Sequence, residues 1–372
     1  MAYYRYMKVV VDVSLAGYTS LGCGGNAERL AVCATEQDVR AALALATDGP
    51  TASGGSGSSD AVWFLGYGCN SLVSDAGLPG TTIVLRGGEI RVEDGLLVAD
   101  AGVWWDDLVT RAIDERLWGL ELMSGIPGSV GAAVVGNIAA YGQAVADTLV
   151  WVDLLDTKTG SVERVAAAAL EPGYRSSNLQ ESERRHLLVL RTAFGLEAAA
   201  RQEVTYRTIV EAAERGGFDP ATLSGRREAV LAAREAAGSL WDYRWPERYS
   251  HSAGSFFRNP LVSEEQADRL ASFDESHRSA EVLRQMNCVH GGSGRRVSAA
   301  LVLLAAGYER GQRWGDVRLN PRHLLKLENT GGATAADVAK AARDIQVAVK
   351  QKLGIELESE VRFLGESAKQ PA

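Results

Sequence analysis

The chain has 372 residues, of which 46% are hydrophobic and 23% are charged, so it can bury a sizeable core and is long enough for two or three domains. Its formal net charge of -8 argues against a broad basic surface for nucleic acid, although a local basic pocket for phosphate remains compatible with it. The five histidines match no metal spacing and the four cysteines form no CxxC pair, so neither a metal site nor a disulfide framework is predicted.

No membrane-spanning or secretory segment is predicted. The N-terminal sequence MAYYRYMKVVVDVSL is interrupted by Tyr, Arg, Lys and Asp, which leaves no apolar core for a signal peptide. Nowhere does an apolar run reach the roughly 18 residues that a membrane span requires. We therefore expect a cytoplasmic protein with free thiols, and without a nucleic-acid, membrane or obligate protein partner.

The first predicted elements form a mixed α/β unit. A βα-like stretch runs to about Ala46, and the Gly/Ser-rich segment 48–60 predicts a surface loop. Apolar runs bounded by turn residues then predict strands over 61–65, 81–85 and 96–101. Helical spacing of apolar residues predicts an amphipathic helix over 105–116.

Strands and helices alternate again in the second half of the chain. Residues 150–156 and 187–194 have the β-branched, apolar character of strands, and 226–237 has the Ala-rich, charged character of a helix. A new unit is predicted to begin near Gly225.

Near the C-terminus, Thr334 and Asp337 have the spacing of a capping box, and apolar residues then recur at helical spacing until Gly354. The following sequence IELESEVRF alternates, which predicts a strand with Glu358, Glu360 and Arg362 on one face. Without further information, a solvated charged face is the simpler interpretation of that alternation.

Two glycine-rich stretches are candidates for ligand binding. The first, Gly66 to Ser71 (GYGCNS), follows a predicted strand, where backbone N–H groups can form an anion-binding nest, although a plain turn is the commoner meaning. Its spacing does not match GxGxxG, so a doubly wound NAD domain is not predicted. The second, SGIPGSVGAAVVGNIAAYG over 124–142, lets a large planar or phosphorylated ligand lie on main-chain groups, the alternative being a tightly packed interdomain loop.

Several motifs occur in a fixed order along the chain. They are LGYGCNSL followed by SDAG (65–77), the glycine-rich 124–142, YRSS (174–177), SAGSFFRNP (252–260) and LESEVRF (357–363). In this order they closely resemble the UDP-N-acetylenolpyruvoylglucosamine reductase family, also called UDP-N-acetylmuramate dehydrogenase. The resemblance extends from about Tyr18 to Gly365.

The resemblance implies an α+β fold, with vanillyl-alcohol-oxidase-type FAD-binding domains and a substrate-binding α+β domain. The implied boundaries are 1–87 together with 355–372 for the first FAD-binding subdomain, 88–224 for the second, and 225–354 for the substrate domain. It also implies that noncovalent FAD takes a hydride from NADPH and passes it to the enolpyruvyl ether of UDP-N-acetylglucosamine. The product is the lactyl ether, UDP-N-acetylmuramate, a precursor for peptidoglycan synthesis.

The resemblance also assigns roles to individual residues. Arg175 stabilises the enolate that forms on the substrate carboxylate, Ser255 protonates the α-carbon as a general acid, and Glu360 assists them. The residues implied to bind the substrate are Tyr174, Tyr206 and Asn259. Those implied to bind FAD are Gly66, Tyr67, Gly68, Cys69, Asn70, Ser71, Gly125, Ile126, Pro127, Gly128, Ser129, Gly131, Asn137, Tyr141, Gly142 and Arg362.

Three positions depart from the family pattern. Gly136 replaces a glutamine, Ala237 replaces a lysine in an RxxKG-like run, and Leu304 replaces an acidic residue. We expect these changes to affect substrate recognition more than the reaction. A reductase of a different enolpyruvyl nucleotide and a flavin-binding protein without turnover are the two alternatives.

Overall fold

A computed structural model of the chain describes residues 7–48, 61–199, 203–273 and 295–365. Its first sheet has the strands β1 (Lys8–Ser14), β2 (Asn26–Cys33), β3 (Val62–Leu65) and β5 (Leu78–Leu85), in the order β1-β2-β5-β3. β1 is antiparallel to β2, whereas β2 and β3 are parallel to β5. Helix α1 (Glu36–Asp48) packs against β2 and β5. The βα-like start and the strands predicted over 61–65 and 81–85 are thus confirmed, while 49–60 of the predicted loop lie outside the described residues.

A segment near the C-terminus, residues 362–364, joins this first unit. Strand β19 (Arg362–Leu364) pairs in parallel with β4 (Ser71–Val73), and Arg362 lies opposite Ser71. The predicted strand over IELESEVRF is wrong for most of its length, because only its end is a strand. The preceding residues bond instead to the 256–258 segment, with the Glu360 N–H donating to Phe256 O and the Arg258 N–H donating to Glu358 O.

The second sheet follows in the order β11-β10-β12-β7-β6, with the strands β6 (Ile90–Glu93), β7 (Leu96–Asp100), β10 (Leu149–Asp156), β11 (Val162–Ala166) and β12 (Leu187–Phe194). A small hairpin is formed by β8 (Ala139–Ala140) and β9 (Gln143–Ala144). Helices α2 (Trp105–Asp114) and α3 (Val130–Val135) pack with this sheet in one hydrophobic core. The strands predicted over 96–101, 150–156 and 187–194 and the helix over 105–116 are confirmed.

A helical hairpin lies between the second sheet and the last unit. Helices α4 (Arg207–Gly216) and α5 (Leu223–Ala236) pack on each other and on Leu122, in a hydrophobic cluster of their own. The predicted helix over 226–237 is confirmed. Gly225, near which a new unit is predicted to begin, lies in the first turn of α5.

The last unit contains a sheet in the order β13-β18-β17-β16, formed by β13 (His251–Ser252), β16 (Arg313–Trp314), β17 (Val317–Leu319) and β18 (Leu327–Asn329). The strands β14 (Leu261–Val262) and β15 (Arg295–Arg296) pair separately, and the helices are α6 (Glu264–Phe273), α7 (Ala299–Ala305) and α8 (Ala335–Leu353). The capping box of Thr334 and Asp337 is present, and Gly354 ends α8 in the left-handed conformation with φ 65°, as predicted. Within the described ranges, no helix is both long and apolar enough to cross a bilayer.

Candidate active site

A cleft of about 1820 Å³ is lined by all three units. The lining includes the first glycine-rich stretch at the end of β3, the second one before α3, the end of α5, and segments around Ser255 and Glu360. Pockets for drug-sized ligands have volumes of roughly 300–1,000 Å³, so this cleft is large enough for a dinucleotide and a second ligand together.

The first glycine-rich stretch forms a cradle of main-chain groups. Gly66 to Ser71 all line the cleft. A Cβ at Gly66 would lie 2.7 Å from the Ser129 hydroxyl. Gly68 has φ +65°, and a Cβ there would clash with Tyr18 O, so both positions need glycine. No described residue accepts a hydrogen bond from the backbone N–H of Gly68, Cys69 or Asn70. These free donors suit the pyrophosphate of a dinucleotide.

The second glycine-rich stretch also lines the cleft, next to the first. Six of its nine predicted FAD-binding residues line the cleft: Ile126, Pro127, Gly128, Ser129, Gly131 and Tyr141. The other three candidates, Gly125, Asn137 and Gly142, lie outside the lining that the described residues form. Asn137 has a structural role, because its amide donates to Gly173 O at 2.8 Å and its carbonyl accepts from Ala146 N at 3.0 Å.

These two stretches fit FAD as a noncovalent ligand. They bring main-chain donors and small side chains to a deep cleft, and neither contains a histidine that could anchor a flavin. Burial raises the pKa of the Cys69 thiol, so this side chain is not a thiolate nucleophile at neutral pH. Arg362 also lines the cleft, and burial, followed by repulsion from Arg185 and Arg258, lowers its pKa.

Arg175 and Glu360 face each other in the cleft. Arg175 has φ 54°, an uncommon conformation for a residue with a side chain, and its Nη1 donates to Ala139 O at 2.6 Å. Its Nε lies 3.8 Å from Glu360 Oε1 and is buried without a hydrogen-bond partner in the described part of the chain. The guanidinium is therefore fixed by a carbonyl and a carboxylate and retains a donor for a ligand.

Ser255 is positioned by its two neighbouring segments. It lines the cleft and is followed by Phe256, which is fully buried. Phe256 donates its N–H to Leu325 O at 2.8 Å and accepts from the Glu360 N–H at 2.9 Å. The backbone that carries Ser255 is thus bonded directly to the backbone that carries Glu360, which brings the two predicted catalytic residues to one wall.

The three predicted substrate-binding residues lie at two different locations. Tyr206 lines the cleft, with its ring centroid 5.8 Å from that of Tyr141, and burial raises the pKa of its phenol. Tyr174 and Asn259 contact each other, since the Asn259 N–H donates to the Tyr174 hydroxyl at 3.4 Å, but they lie outside the described lining. The Arg296 guanidinium stacks over the Tyr174 ring at 3.9 Å, so Tyr174, Asn259 and Arg296 form a group outside the described cleft lining.

The family departures also differ in position. Gly136 and Ala237 line the cleft at the ends of α3 and α5. Leu304 lies on α7, is 40% exposed and is not part of the described lining. Leu304 therefore lies outside the described cleft lining, and its effect on substrate recognition stays a prediction.

Sequence reasoning missed basic residues of this cleft. Arg234, His323 and Lys326 all line it. Burial, followed by repulsion from Lys326, lowers the pKa of His323 to about 4, so the imidazole is neutral at pH 7. Arg234 stands in the RxxKG-like run, and His323 and Lys326 stand in the stretch LNPRHLLKLENTGG, but the sequence alone did not show that the two segments meet in one cleft.

Comparisons with known proteins agree with this architecture. The family model described as FAD binding domain matches residues 27–166, and the model for the C-terminal domain of UDP-N-acetylenolpyruvoylglucosamine reductase matches 246–364. UDP-N-acetylenolpyruvoylglucosamine reductase from Mycobacterium sp. (strain MCS) is 36% identical over 366 residues, covering 96% of this chain and 97% of that protein. The chain belongs to the UDP-N-acetylenolpyruvoylglucosamine reductase family.

Further relatives support this assignment. The reductase from Thermobifida fusca (strain YX) is 34% identical over 364 residues, covering 95% of this chain and 97% of that protein. The crystal structure of the reductase from Thermus caldophilus matches with a TM-score of 0.64 at 25% identity, covering 97% of this chain and 100% of that one. The α+β fold with a vanillyl-alcohol-oxidase-type FAD-binding domain is thereby confirmed, and the chain is an FAD-dependent oxidoreductase.

Proposed function

We propose that this chain reduces the enolpyruvyl ether of UDP-N-acetylglucosamine to the lactyl ether with NADPH as the hydride donor. The observation that carries the proposal is the grouping of Arg175, Glu360 and Ser255 in one cleft, beside the glycine-rich cradle, where the Asn70 amide donates to Glu360 O at 3.1 Å. When bound, FAD supplies the hydride transfer from NADPH to the substrate. The chain's own residues bind and orient the substrate, stabilise the negative charge that forms on it, and donate the proton that completes the reaction.

In this proposal, Arg175 stabilises the negative charge that the reduction creates on the substrate. Addition of a hydride to the enolpyruvyl methylene carbon leaves negative charge on the substrate carboxylate, so a fixed cation must face it. Arg175 lines the cleft, and its guanidinium can donate to that carboxylate. Glu360, 3.8 Å away, holds the guanidinium in place.

Ser255 supports the proton transfer that completes the reaction. The α-carbon must receive a proton on a defined face, and a hydroxyl held rigidly beside the substrate serves as the donor. The buried Phe256 and the hydrogen bonds to Leu325 and Glu360 provide that rigidity.

We propose that the enzyme acts on this small nucleotide substrate in the cytoplasm, without a nucleic-acid, membrane or obligate protein partner. The net charge of -8 supports the exclusion of nucleic acid. A second candidate substrate, a different enolpyruvyl nucleotide, is favoured by one observation. Ala237 stands in the cleft lining where the family pattern has a lysine.

Separate measurement of the two half-reactions by stopped-flow absorbance tests the proposal. NADPH should bleach the yellow flavin, and UDP-N-acetylglucosamine enolpyruvate should restore the colour within the time of a turnover. Fast bleaching with slow reoxidation would favour the second substrate. A flavin that NADPH never bleaches would reject enzymatic function.

A further inference from the structure

A cluster of basic residues, which we call the basic cluster, surrounds the end of α5: Arg234 on the helix itself, and Arg322, His323 and Lys326 on the loop before β18. Lys326 is only 4% exposed, lines the cleft, and donates from Nζ to Gly238 O. Arg234 lines the cleft beside it and donates to Gly125 O at 3.1 Å and to Ser239 O at 2.8 Å.

The loop that carries Lys326 is held by hydrogen bonds between its own residues. The side-chain carbonyl of Asn320 accepts from the backbone N–H groups of Arg322 at 2.7 Å and His323 at 2.9 Å. The Asn320 N–H donates to Lys326 O at 2.9 Å, and the Lys326 N–H donates to His323 O at 3.1 Å. The closed turn therefore fixes the backbone of Lys326, and the bond from Nζ to Gly238 O fixes its ammonium at the cleft.

The basic cluster is not neutralised by the described parts of the chain. The carboxylate with the largest effect on Lys326 is Glu328, but its oxygens are engaged elsewhere, by Arg318 Nε at 2.7 Å and Asn320 Nδ2 at 2.5 Å. No salt bridge joins Lys326 to any described carboxylate. Buried charges are ordinarily paired, so an ammonium with two spare donors in a cleft points to an anionic ligand.

We propose that Lys326, with Arg234 beside it, binds the phosphates of a nucleoside diphosphate in this cleft. Lys326 thereby supplies, from the loop before β18, the cation that position 237 at the end of α5 lacks. The inference rests on the proposed function, because it takes the substrate to be a nucleotide. It also explains how a chain with Ala237 can still recognise a diphosphate.

A purely structural role is the competing explanation. Arg322 donates to Glu235 O at 3.1 Å and Lys326 to Gly238 O, so both residues also bond carbonyls at the end of α5, where positive charge is favourable. A capping role predicts that loss of Lys326 lowers the melting temperature and leaves ligand affinity unchanged. A phosphate role predicts the opposite pattern.

The test compares binding of UDP and of uridine to the FAD-loaded enzyme by calorimetry at pH 6.5. Lys326→Gln should weaken UDP binding by about 10- to 100-fold, the usual effect of losing a charged hydrogen bond, and leave uridine binding unchanged. Adding Ala237→Lys to that variant should restore most of the UDP affinity. The matched control is Lys340→Gln, which removes an exposed lysine paired with Asp344 on α8.

The pH dependence provides a second readout. Burial, followed by repulsion from Arg234 and Arg322 against the attraction of Glu328, lowers the pKa of Lys326 to about 7, while His323 beside it is already neutral. The ammonium binds phosphate and the neutral amine does not, so UDP affinity should fall as the pH rises above 7. In Lys326→Arg the guanidinium stays charged, and the decline between pH 7 and 9 should disappear.

The outcomes separate this inference from the proposed function. UDP binding in Lys326→Gln within twofold of the parent, with FAD content preserved, would overturn the phosphate role of Lys326. If inorganic pyrophosphate binds in a Lys326-dependent manner while UDP-N-acetylglucosamine enolpyruvate fails to reoxidise the flavin, the anion site is supported and the proposed substrate is rejected.

Discussion

At the scale of single residues, the wall of the cleft combines three groups that cannot act alone. An unperturbed serine is a poor acid and a lone guanidinium is mobile, yet here Ser255, Arg175 and Glu360 are tied together through main-chain bonds and one ion pair. Such positioning is what converts weak groups into effective ones.

Ser255→Ala is expected to separate the two half-reactions. FAD content and the rate of flavin reduction by NADPH should stay near the parent values, because neither step needs a proton at the substrate carbon. Flavin reoxidation by the enolpyruvyl substrate should slow by about 10²- to 10⁴-fold, the range for loss of a general acid. Stopped-flow absorbance measures both rates, and Ser263→Ala, which removes an exposed hydroxyl at the start of α6, is the control. Reoxidation within a few fold of the parent would remove Ser255 from the role of proton donor.

Glu360 and Glu358 provide a matched pair of variants. Each carboxylate lies 3.8 Å from an arginine, but Glu360 is 26% exposed in the cleft whereas Glu358 is 78% exposed. Exposed ion pairs contribute little, so Glu358→Gln should change the reoxidation rate less than threefold. Glu360→Gln should lower it at least about tenfold, because Arg175 loses its orienting partner. Equal effects of the two variants would refute a positioning role for Glu360.

At the scale of elements, the contacts of α8 couple distant parts of the chain. The Asp75 carboxylate, which follows β4, accepts the first N–H groups of the helix, from Ala335 and Ala336, both at 2.8 Å. The helix therefore has an internal capping box and a second acceptor from the first unit, at the end where its dipole favours negative charge.

Asp75→Ala should therefore destabilise the protein by about 1–2 kcal/mol, the usual cost of losing a helix cap. Thr334→Ala should cost a similar amount through the internal box, and the exposed Asp114→Ala on α2 should stay within about 0.5 kcal/mol. Urea unfolding of the FAD-loaded protein followed by circular dichroism gives the free energies of unfolding. If Asp75→Ala unfolds at the same urea concentration as Asp114→Ala, the contact between Asp75 and α8 does not stabilise the fold.

The sequence predicted elements with strong local signals and missed those that depend on distant partners. The α8 helix has a capping box, helical spacing and a terminal glycine, so each of its boundaries was visible in the sequence. The alternating IELESEVRF looked like a strand, but its first residues bond to the 256–258 segment, and only three residues find a partner in β4. The sequence did not predict a ligand-binding role for Lys326 for the same reason. That role depends on the proximity of Lys326 to Gly238 and Arg234, which are far away in sequence.

At the scale of the whole molecule, the cleft exists only because the three units meet. The glycine-rich cradle follows β3, the second glycine-rich stretch leads into α3, and Ser255 comes from the last unit. The pairing of β4 with β19 returns the C-terminal segment, and with it Glu360 and Arg362, to the first unit. A ligand that fills the cleft therefore contacts all units and should stabilise them together.

The last prediction is that FAD is bound noncovalently and stabilises the entire fold. Acid precipitation should release the flavin into the supernatant, because neither glycine-rich stretch contains a histidine and burial keeps the Cys69 thiol protonated. The apoprotein should melt at a lower temperature than the FAD-loaded protein, since free FAD at 100 times its Kd adds about 2.7 kcal/mol. Riboflavin, which lacks the pyrophosphate that the free N–H groups of Gly68, Cys69 and Asn70 suit, should restore less of the melting temperature than FAD. Flavin retained in the acid pellet would contradict noncovalent binding, and equal restoration by riboflavin would contradict the role of the cradle.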